Sequence, residues 1–255
     1  MKRKLKPTYM IYGGHFSGSE PFFYDPKAFS WVEKIEENWR VIRDEAESLL
    51  QRHPDRLEPY FNRSLSFPPE QWKTLGFYFW SHKFEDNCNE CPQTVRILES
   101  IPNMVGGSLS VLGPKSTINP HYGDTNAIVR VHMGLSVPAP LPDSGLKVGD
   151  EVREWKEGKT LLFCDTYYHS AWNKSDQQRL VLIVDVMRPE FADQTRAICT
   201  HVLTSMLMQS LSQRFPRLHV VPTWLLGLTH FLLRFPIRVW LSGHRPSVSK
   251  KLIFI

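Results

Sequence analysis

Acidic residues are missing from the last quarter of the chain. Between Gln194 and Ile255 there is no Asp or Glu, whereas eight Lys and Arg residues fall in this stretch. The whole chain has 31 Lys and Arg against 26 Asp and Glu, which leaves 23 basic residues against those 26 before Gln194. The formal net charge of +5 therefore belongs to the C-terminal stretch, and nucleic-acid binding by the whole protein is not indicated.

Cysteines and long apolar runs are also scarce. Four cysteines in 255 residues exclude a disulfide-stabilised miniprotein and are typical of a reducing compartment. Cys88 and Cys91 form a single Cys-x-x-Cys pair without a second pair to complete a zinc site, which favours ordinary thiols. No stretch of about 18 uncharged apolar residues occurs, and the basic N-terminus is not followed by a signal-peptide core. We therefore expect a cytoplasmic protein without a transmembrane helix.

The remaining composition, 42% hydrophobic and 22% charged, is that of a globular protein, and its patterns divide the chain into three parts. Residues 1–105 are predicted to be an N-terminal helical and extended portion that packs on a core. Apolar residues three and four apart predict a helix over Lys27–Gln51. A strand is predicted over Leu75–Trp80 and a short helix over Gln93–Ser100.

The second part, residues 106–193, has the pattern of short strands joined by turns. The predicted strands are Ser108–Leu112, Ala127–Leu135, Leu146–Val148, Glu151–Trp155, Thr160–Cys164 and Leu180–Met187. Gly149 and Asp150, between the third and fourth of these strands, are typical of a hairpin turn. Antiparallel strands at this spacing predict a mainly β core, either a sandwich or a jelly roll.

The third part, residues 194–255, is predicted to be a basic and apolar helical extension. One helical stretch covers Ala197–Leu211, and a second apolar stretch covers Trp224–Leu241, where two arginines and a proline interrupt any simple membrane span. An apolar, aromatic and purely basic segment is suited to a membrane interface beside anionic lipid. A helix packed on the domain, or an oligomer contact, is the alternative.

Histidine and arginine residues occur within and beside the predicted strands. Alternation over Ala127–Leu135 places Arg130 and His132 on one face, opposite apolar residues. On an open sheet that face meets solvent, but in a closed jelly roll it lines the interior as an anion site. His121 and His169 stand at strand ends, where two neutral imidazoles can converge on one metal such as Fe(II). Arg179 opens the last predicted strand and can face the same cavity.

Several separated motifs, in order along the chain, carry a resemblance to a known family. They are His121–Asn126, Arg130–Leu135, Glu154–Lys159, Phe163–Trp172, Arg179 and Val184–Pro189. Together they resemble the signature of the aspartyl/asparaginyl β-hydroxylase family, with a close match from Ser108 to Pro189 and a weaker one reaching back through Asn87–Thr94. Motifs in this number and order make the resemblance specific. It does not cover the chain after Gln194.

The resemblance implies a double-stranded β-helix, cupin-like, that binds Fe(II) and uses 2-oxoglutarate and O₂, with succinate and CO₂ as co-products. Most such enzymes hold iron with a His-x-Asp/Glu…His triad, but this family lacks the carboxylate, and here Gly123 stands in its place. His121 and His169 are then the iron ligands, and no catalytic residue beyond the metal site is implied. The candidates for orienting groups around the metal are Asp124, Asn126 and Trp172.

The resemblance also assigns residues to 2-oxoglutarate. Arg130 and His132 match the residues that hold the end of 2-oxoglutarate that chelates iron. Ser110 and Arg179 match those that bind its distal carboxylate, a role for which a guanidinium group is suited.

The function implied is hydroxylation of an unactivated C–H bond, at the β-carbon of an Asp or Asn residue or a related substrate. One alternative is hydroxylation of a lipid acyl chain at the membrane, as in lipid A hydroxylases. Another is a 2-oxoglutarate halogenase, in which Gly123 makes room for chloride, and a third is a non-catalytic jelly-roll binding protein. We expect a protein, peptide or small-molecule substrate, no nucleic acid, and peripheral membrane contact through the C-terminal extension.

Overall fold

Two antiparallel β-sheets form the centre of the molecule in the described residues, 5–10, 16–215 and 221–243 of a computed structural model. The strands are β1 (Phe23–Tyr24), β2 (Glu58–Pro59), β3 (Ser66–Phe67), β4 (Trp72–Phe79), β5 (His82–Lys83), β6 (Met104–Leu112), β7 (Ser116–His121), β8 (Ile128–Ser136), β9 (Ser144–Val148), β10 (Glu151–Arg153), β11 (Thr160–Phe163), β12 (His169–Asn173) and β13 (Arg179–Met187). The helices are α1 (Val32–Glu37), α2 (Trp39–Arg52), α3 (Glu85–Glu90), α4 (Pro92–Glu99), α5 (Thr195–Arg214) and α6 (Thr223–Gly243).

The strand order shows the winding of a double-stranded β-helix. The larger sheet has the order β1-β11-β8-β13-β6-β4-β2, with β5 paired to β4, and the smaller sheet has the order β10-β9-β12-β7-β3. From β6 to β13 the chain passes from one sheet to the other at each step, apart from the β9–β10 hairpin. The predicted jelly roll with N-terminal helices and a C-terminal helical region is therefore confirmed.

The two faces of the larger sheet bury different partners. On its outer face, Val129, Val131 and Met133 of β8 belong to the apolar cluster that includes Ile42 of α2 and Leu98 of α4. Between the sheets lies a second cluster with contributions from both, and it includes three large aromatic side chains, Trp72, Trp155 and Phe163. The predicted alternation of β8 is thus observed, because its apolar face meets helices while its other face meets the interior.

The C-terminal helices cover one end of the larger sheet. Ile198 and Val202 of α5 pack in a third cluster with Ala127, Ile128 and Met187, where β8 begins and β13 ends. Helix α6 packs on α5. No described helix is long and apolar enough to cross a membrane.

The sequence-based boundaries differ from the structure in several places. The helix predicted over Lys27–Gln51 is two helices, α1 and α2, that meet at Asn38. The first 105 residues contribute β1 to β5 to the two sheets, in addition to their helices. Strands β7 and β12 were not predicted, and α6 continues through Pro236. Cys88 and Cys91 are buried free thiols.

Candidate active site

Two histidines lie side by side in the smaller sheet. Strand β7 ends at His121, β12 begins at His169, and the two residues are register partners with ring centroids 4.2 Å apart. Each Nδ1 lies close to a backbone carbonyl oxygen, at 2.8 Å from that of Asn119 and at 2.9 Å from that of Tyr167. Because a carbonyl oxygen can only accept, each Nδ1 donates its proton and each Nε2 keeps a lone pair that can bind a metal.

The environment keeps both imidazoles in the neutral form that a metal requires. Burial lowers the pKa of His121 to about 4 and holds the pKa of His169 well below its ordinary value. Among residues 5–10, 16–215 and 221–243, no group of three or more His, Cys, Asp or Glu is placed to hold a metal ion. The chain therefore offers two imidazoles here, a donor set that suits Fe(II) with other positions left for a co-substrate.

The carboxylate of Asp165 fills the space beside Gly123. A Cβ added at Gly123 would lie 2.1 Å from Oδ2 of Asp165, and the Gly123 N–H donates to the Asp165 carbonyl oxygen at 2.7 Å. The Asp165 side chain is 0% exposed and neither carboxylate oxygen has a hydrogen-bond partner, although Nη1 of Arg130 lies 2.9 Å from Oδ2 as an ion pair. Burial raises the pKa of Asp165 to about 7, against the opposing effect of Arg130.

Sequence reasoning missed Asp165. The available signal was its position, four residues before His169 and directly after a predicted buried strand, where a carboxylate needs a partner.

Arg130 is held by carboxylates on three of its nitrogen atoms. Its Nε and Nη2 donate to the two carboxylate oxygens of Asp185 at 2.8 and 2.9 Å, across the pairing of β8 with β13. Its Nη1 forms the ion pair with Asp165. This bidentate geometry fixes the plane of the guanidinium group, so only the second protons of Nη1 and Nη2 remain for a ligand.

Arg179 has no carboxylate partner in the interior. Its side chain lies 4.5 Å from the centre of the Trp155 ring, and Nη2 donates to the Ser110 hydroxyl at 3.4 Å, but Nε and Nη1 have no partner. It is 1% exposed, and burial lowers its pKa to about 9, so it is still charged at neutral pH. A buried cation with unused N–H groups is costly without an anion, and its planar fork fits a carboxylate.

His132 lies in the same interior as Arg179 and the two paired histidines. It is buried in the interior, with its ring 4.9 Å from that of Phe163, and its Nδ1 has no hydrogen-bond partner. Its pKa is held well below the ordinary value by burial first, and then by neighbouring groups. These groups are Arg179, Arg130, His169 and His121. The structure thus brings all six residues assigned by the resemblance, the sixth being Ser110 beside Arg179, into one interior.

The three candidate orienting residues lie in different places. Asp124 is partly buried near Arg130. Burial raises the pKa of Asp124 to about 6, although the positive charge of Arg130 acts to lower it. The side-chain amide of Asn126 bonds to the N-terminal segment, at Thr8, and to Glu20. Trp172 projects from β12 away from the interior and donates from Nε1 to the Pro142 carbonyl oxygen at 2.9 Å. The structure therefore does not bring Trp172 to the metal position.

A cavity of about 600 Å³ opens beside His169. Its aromatic lining consists of Phe16, Phe22, Tyr122, Tyr167 and Tyr168. Lys147 and Asp150 are the charged residues of its lining. Sequence reasoning gave none of these residues a role in the site, although Tyr122 directly follows one candidate iron ligand and Tyr168 directly precedes the other. The cavity is lined mainly by aromatic side chains and reaches His169.

Sequence comparisons relate this chain to known hydroxylases. Residues 36–189 match the family model described as aspartyl/asparaginyl beta-hydroxylase. The chain is 34% identical over 175 residues to the ornithine lipid ester-linked acyl 2-hydroxylase of Rhizobium tropici, covering 66% of this chain and 61% of that protein. It is 30% identical over 179 residues to aspartyl/asparaginyl beta-hydroxylase of Homo sapiens, covering 65% of this chain and 22% of that protein.

A third relative is aspartate beta-hydroxylase domain-containing protein 2 of Mus musculus. It is 33% identical over 181 residues, covering 68% of this chain and 52% of that protein. The chain thus spans less than two thirds of the length of each of these three relatives. The family match covers more than half of the chain and includes both paired histidines, Asp165 and Arg179. The chain belongs to the aspartyl/asparaginyl β-hydroxylase family.

Proposed function

We propose that this protein is a dioxygenase that depends on Fe(II) and 2-oxoglutarate and hydroxylates an unactivated C–H bond. The observation that carries the proposal is the buried Arg179, whose Nε and Nη1 have no hydrogen-bond partner in the part of the chain that the structure describes, in the same interior as the paired imidazoles of His121 and His169. A cation without an anion in a closed interior is the arrangement expected of a binding site for a dicarboxylate.

Six polar residues of the interior have a role in this proposal. His121 and His169 would hold Fe(II) through Nε2. His132 and Arg130 would hold the end of 2-oxoglutarate that chelates the metal, and the distal carboxylate would reach Arg179 together with Ser110. When bound, the metal and 2-oxoglutarate supply the oxidising chemistry, in which one oxygen atom of O₂ enters the substrate as hydroxyl and the other leaves in succinate, with release of CO₂.

The chain itself supplies positioning and a low-dielectric interior. Trp72, Trp155 and Phe163 wall the space between the sheets, which strengthens the attraction between Arg179 and a carboxylate relative to water. The hydroxyl of Ser110, fixed by the N–H of Trp72 at 3.1 Å, adds a second polar contact. The neutral state of His132 lets it approach a bound anion without adding to the positive charge.

The contact between Gly123 and Asp165 argues against a halogenase. Chloride in such an enzyme would occupy the place vacated by the missing carboxylate, beside Gly123. The Asp165 carboxylate already takes that space, since a Cβ added at Gly123 would lie 2.1 Å from its Oδ2. A carboxylate so placed repels chloride. Hydroxylation is therefore the better supported reaction.

For the substrate, the cavity beside His169 favours a lipid acyl chain. Its lining has five aromatic side chains and a single cation, Lys147, which suits an aliphatic chain that ends in an anionic or polar head. The relative from Rhizobium tropici is, by its name, a hydroxylase of an ester-linked acyl chain. The β-carbon of an Asp or Asn residue, the expectation from the family, is the second candidate, because Lys147 can also pair with a carboxylate.

The first test is an anaerobic titration of the full chain with Fe(II) and 2-oxoglutarate, followed by absorption in the visible region and by succinate release in air. We expect a charge-transfer band with the wild type and none with His169→Ala, because that variant keeps a single imidazole. His53→Ala, on a half-exposed residue at the end of α2, is the matched control. A wild type without a band, or His169→Ala with undiminished succinate release, contradicts the assignment.

Substrate class is tested separately. Acyl lipids and Asp- or Asn-containing peptides are each added to the loaded protein, and the succinate formed is compared with the hydroxylated product by mass spectrometry. Stoichiometric product from the lipid supports the acyl candidate, and product from the peptide alone replaces it with the second candidate.

A further inference from the structure

Helix α6 carries a continuous apolar stripe on its exposed face. Trp224, Phe231 and Phe235 are 70%, 68% and 75% exposed. The other exposed apolar residues of the helix are Leu225, Leu228, Leu232 and Val239. Most of these positions follow one another at three and four residues, so they share one side of a helix of 21 residues, which is about 30 Å long.

The opposite side of α6 is already packed. Nε2 of His230 lies 3.0 Å from the hydroxyl of Ser205 on α5, and Ile237, Trp240 and Leu241 pack on the cluster that covers the end of the larger sheet. A surface helix with one packed face is ordinarily polar on the other. Packing among residues 5–10, 16–215 and 221–243 therefore does not account for the exposed stripe, and exposed apolar patches of this kind mark interaction surfaces.

The charged residues of α5 and α6 are all positive. Arg238 is exposed and lies seven residues after Phe231, on the same side of the helix. Arg214 is exposed at the end of α5, next to the exposed Phe215. The sequence contains no Asp or Glu after Gln194, so the C-terminal helices contribute no acidic side chain to this surface. Such a surface attracts an anionic partner.

The same charges disfavour a second copy of this chain as the partner. Two copies that met through this face would bring positive side chains from both copies into one interface, with no acidic side chain from either α6. A bilayer surface with anionic lipid satisfies both features, because headgroups pair with arginine while aromatic and aliphatic side chains enter the acyl boundary.

We propose that the exposed face of α6 docks on a membrane surface that contains anionic lipid, with the helix lying in the plane of the interface. The proposal does not depend on the activity proposed above. It adds to it, because α5, on which α6 packs, contacts Ala127 and Ile128 in the segment that leads from His121 into β8. Docking through α6 thus places the end of the barrel that contains His121 close to lipid.

A second set of contacts ties the helices to that end of the barrel. Tyr9 stacks on His201 of α5 at a centroid distance of 3.8 Å, and it pairs with Thr125, four residues after His121. His201 in turn lies 4.5 Å from His230 of α6. The orientation of α6 on the barrel is therefore fixed by ring contacts, which a docking surface requires.

The test is flotation of the full chain, without iron or 2-oxoglutarate, with vesicles of phosphatidylcholine alone or of equal parts phosphatidylcholine and phosphatidylglycerol. We expect binding to the anionic vesicles that weakens with salt, and much less binding to the neutral ones. Replacing both Phe231 and Phe235 by Gln should lower the partition coefficient by roughly tenfold or more. Val152→Gln, which removes a 45% exposed apolar side chain from β10, should leave it unchanged.

Further measurements separate a loss of membrane binding from a loss of folding and from dimer formation. Trp224 fluorescence should shift to shorter wavelength on anionic vesicles, and Trp224→Phe should reduce that shift. Circular dichroism shows whether the Phe231→Gln/Phe235→Gln variant is folded, and its vesicle-free succinate release should equal that of the wild type. The proposal is overturned if the wild type does not float with anionic vesicles or if the double variant floats equally well. It is also overturned if sizing shows a wild-type dimer that the double variant dissociates.

Discussion

Replacing Arg179 by methionine should stabilise the protein in the absence of 2-oxoglutarate. The pKa of Arg179 is about 9 in the folded chain against an ordinary 12.5, and this difference corresponds to a cost of about 5 kcal/mol for burying the charge. Because the lowered pKa belongs to a base, the cost is complete below about pH 9 and disappears as pH rises from there towards 12.5. Stability should therefore rise in the variant at neutral pH.

Replacing Arg179 by methionine also removes favourable contacts. Their loss reduces the net gain in unfolding free energy. The hydrogen bond to Ser110 and the contact with the Trp155 ring contribute together about 2 kcal/mol. The net gain in unfolding free energy is then about 3 kcal/mol, or a rise in Tm of roughly 6 to 12 °C for a chain of this size.

The same substitution should remove the response to 2-oxoglutarate. In the proposed site a carboxylate of 2-oxoglutarate pairs with Arg179, and loss of one partner of a buried charged pair costs about 2 to 5 kcal/mol, which raises Kd at least about 30-fold. For the wild type, 2-oxoglutarate at about 100 times its Kd should add about 2.7 kcal/mol of stability.

The assay is thermal unfolding under anaerobic conditions with Fe(II), in the presence and absence of 2-oxoglutarate. Arg63→Met is the control, because Arg63 is an exposed arginine paired with Glu70, and it should leave both melting curves as in the wild type. If the Arg179→Met variant melts below the wild type without ligand, burying the Arg179 charge costs less than its contacts contribute, and the reasoning is refuted. A variant whose Tm still rises with 2-oxoglutarate, as in the wild type, refutes the assignment of the site.

Two further predictions concern residues around the barrel. Gly123→Ala places a Cβ 2.1 Å from Oδ2 of Asp165, so it should displace the carboxylate and weaken Fe(II) binding by roughly tenfold or more, whereas Gly227→Ala, with no atom within 4 Å, should leave metal titration unchanged. Burial raises the pKa of Glu36, but hydrogen bonds from Lys159 and from Thr160 outweigh it, so the pKa lies below 4.5. The stability that Glu36 adds should be present above pH 4.5 and lost as pH falls through the lowered pKa. Glu36→Gln should therefore lose less stability on acidification in urea unfolding, and an unchanged pH dependence would contradict the role of these bonds.

The parts of the fold that could be predicted are those with strong local periodicity. Alternation in β8 separates Val131 from His132 because one face packs on helices and the other on the interior. The break at Asn38 was not predictable, because the apolar period continues across it from Ile35 to Ile42, and both residues reach the same core. Strand β7 was missed because Pro120 lies within it, and proline is unfavourable in a strand unless its position has no ladder bond to donate.

The candidate site could be predicted only where motif and position sufficed. His121 and His169 follow from the motifs, but their register pairing lies on β7 and β12, which were not predicted. Arg130 pairs with Asp185, which lies 55 residues away in the sequence. No local sequence pattern therefore predicts this contact. The same holds for the contact between Gly123 and Asp165, because a glycine in the sequence does not show which side chain fills the space beside it.

The central position of β13 in the larger sheet determines when this site can form during synthesis. It is the last strand among the described residues, yet it lies between β8 and β6, and its Asp185 is the register partner of Arg130 on β8. Until Met187 has left the ribosome, β8 and β6 each have one edge without a partner strand. The interior that contains the two histidines is then not closed. A nascent chain with such edges is prone to aggregation and is a substrate for chaperones. The metal loading proposed above would therefore follow translation of all the strands of the barrel, at a rate that depends on closure of long-range strand pairs.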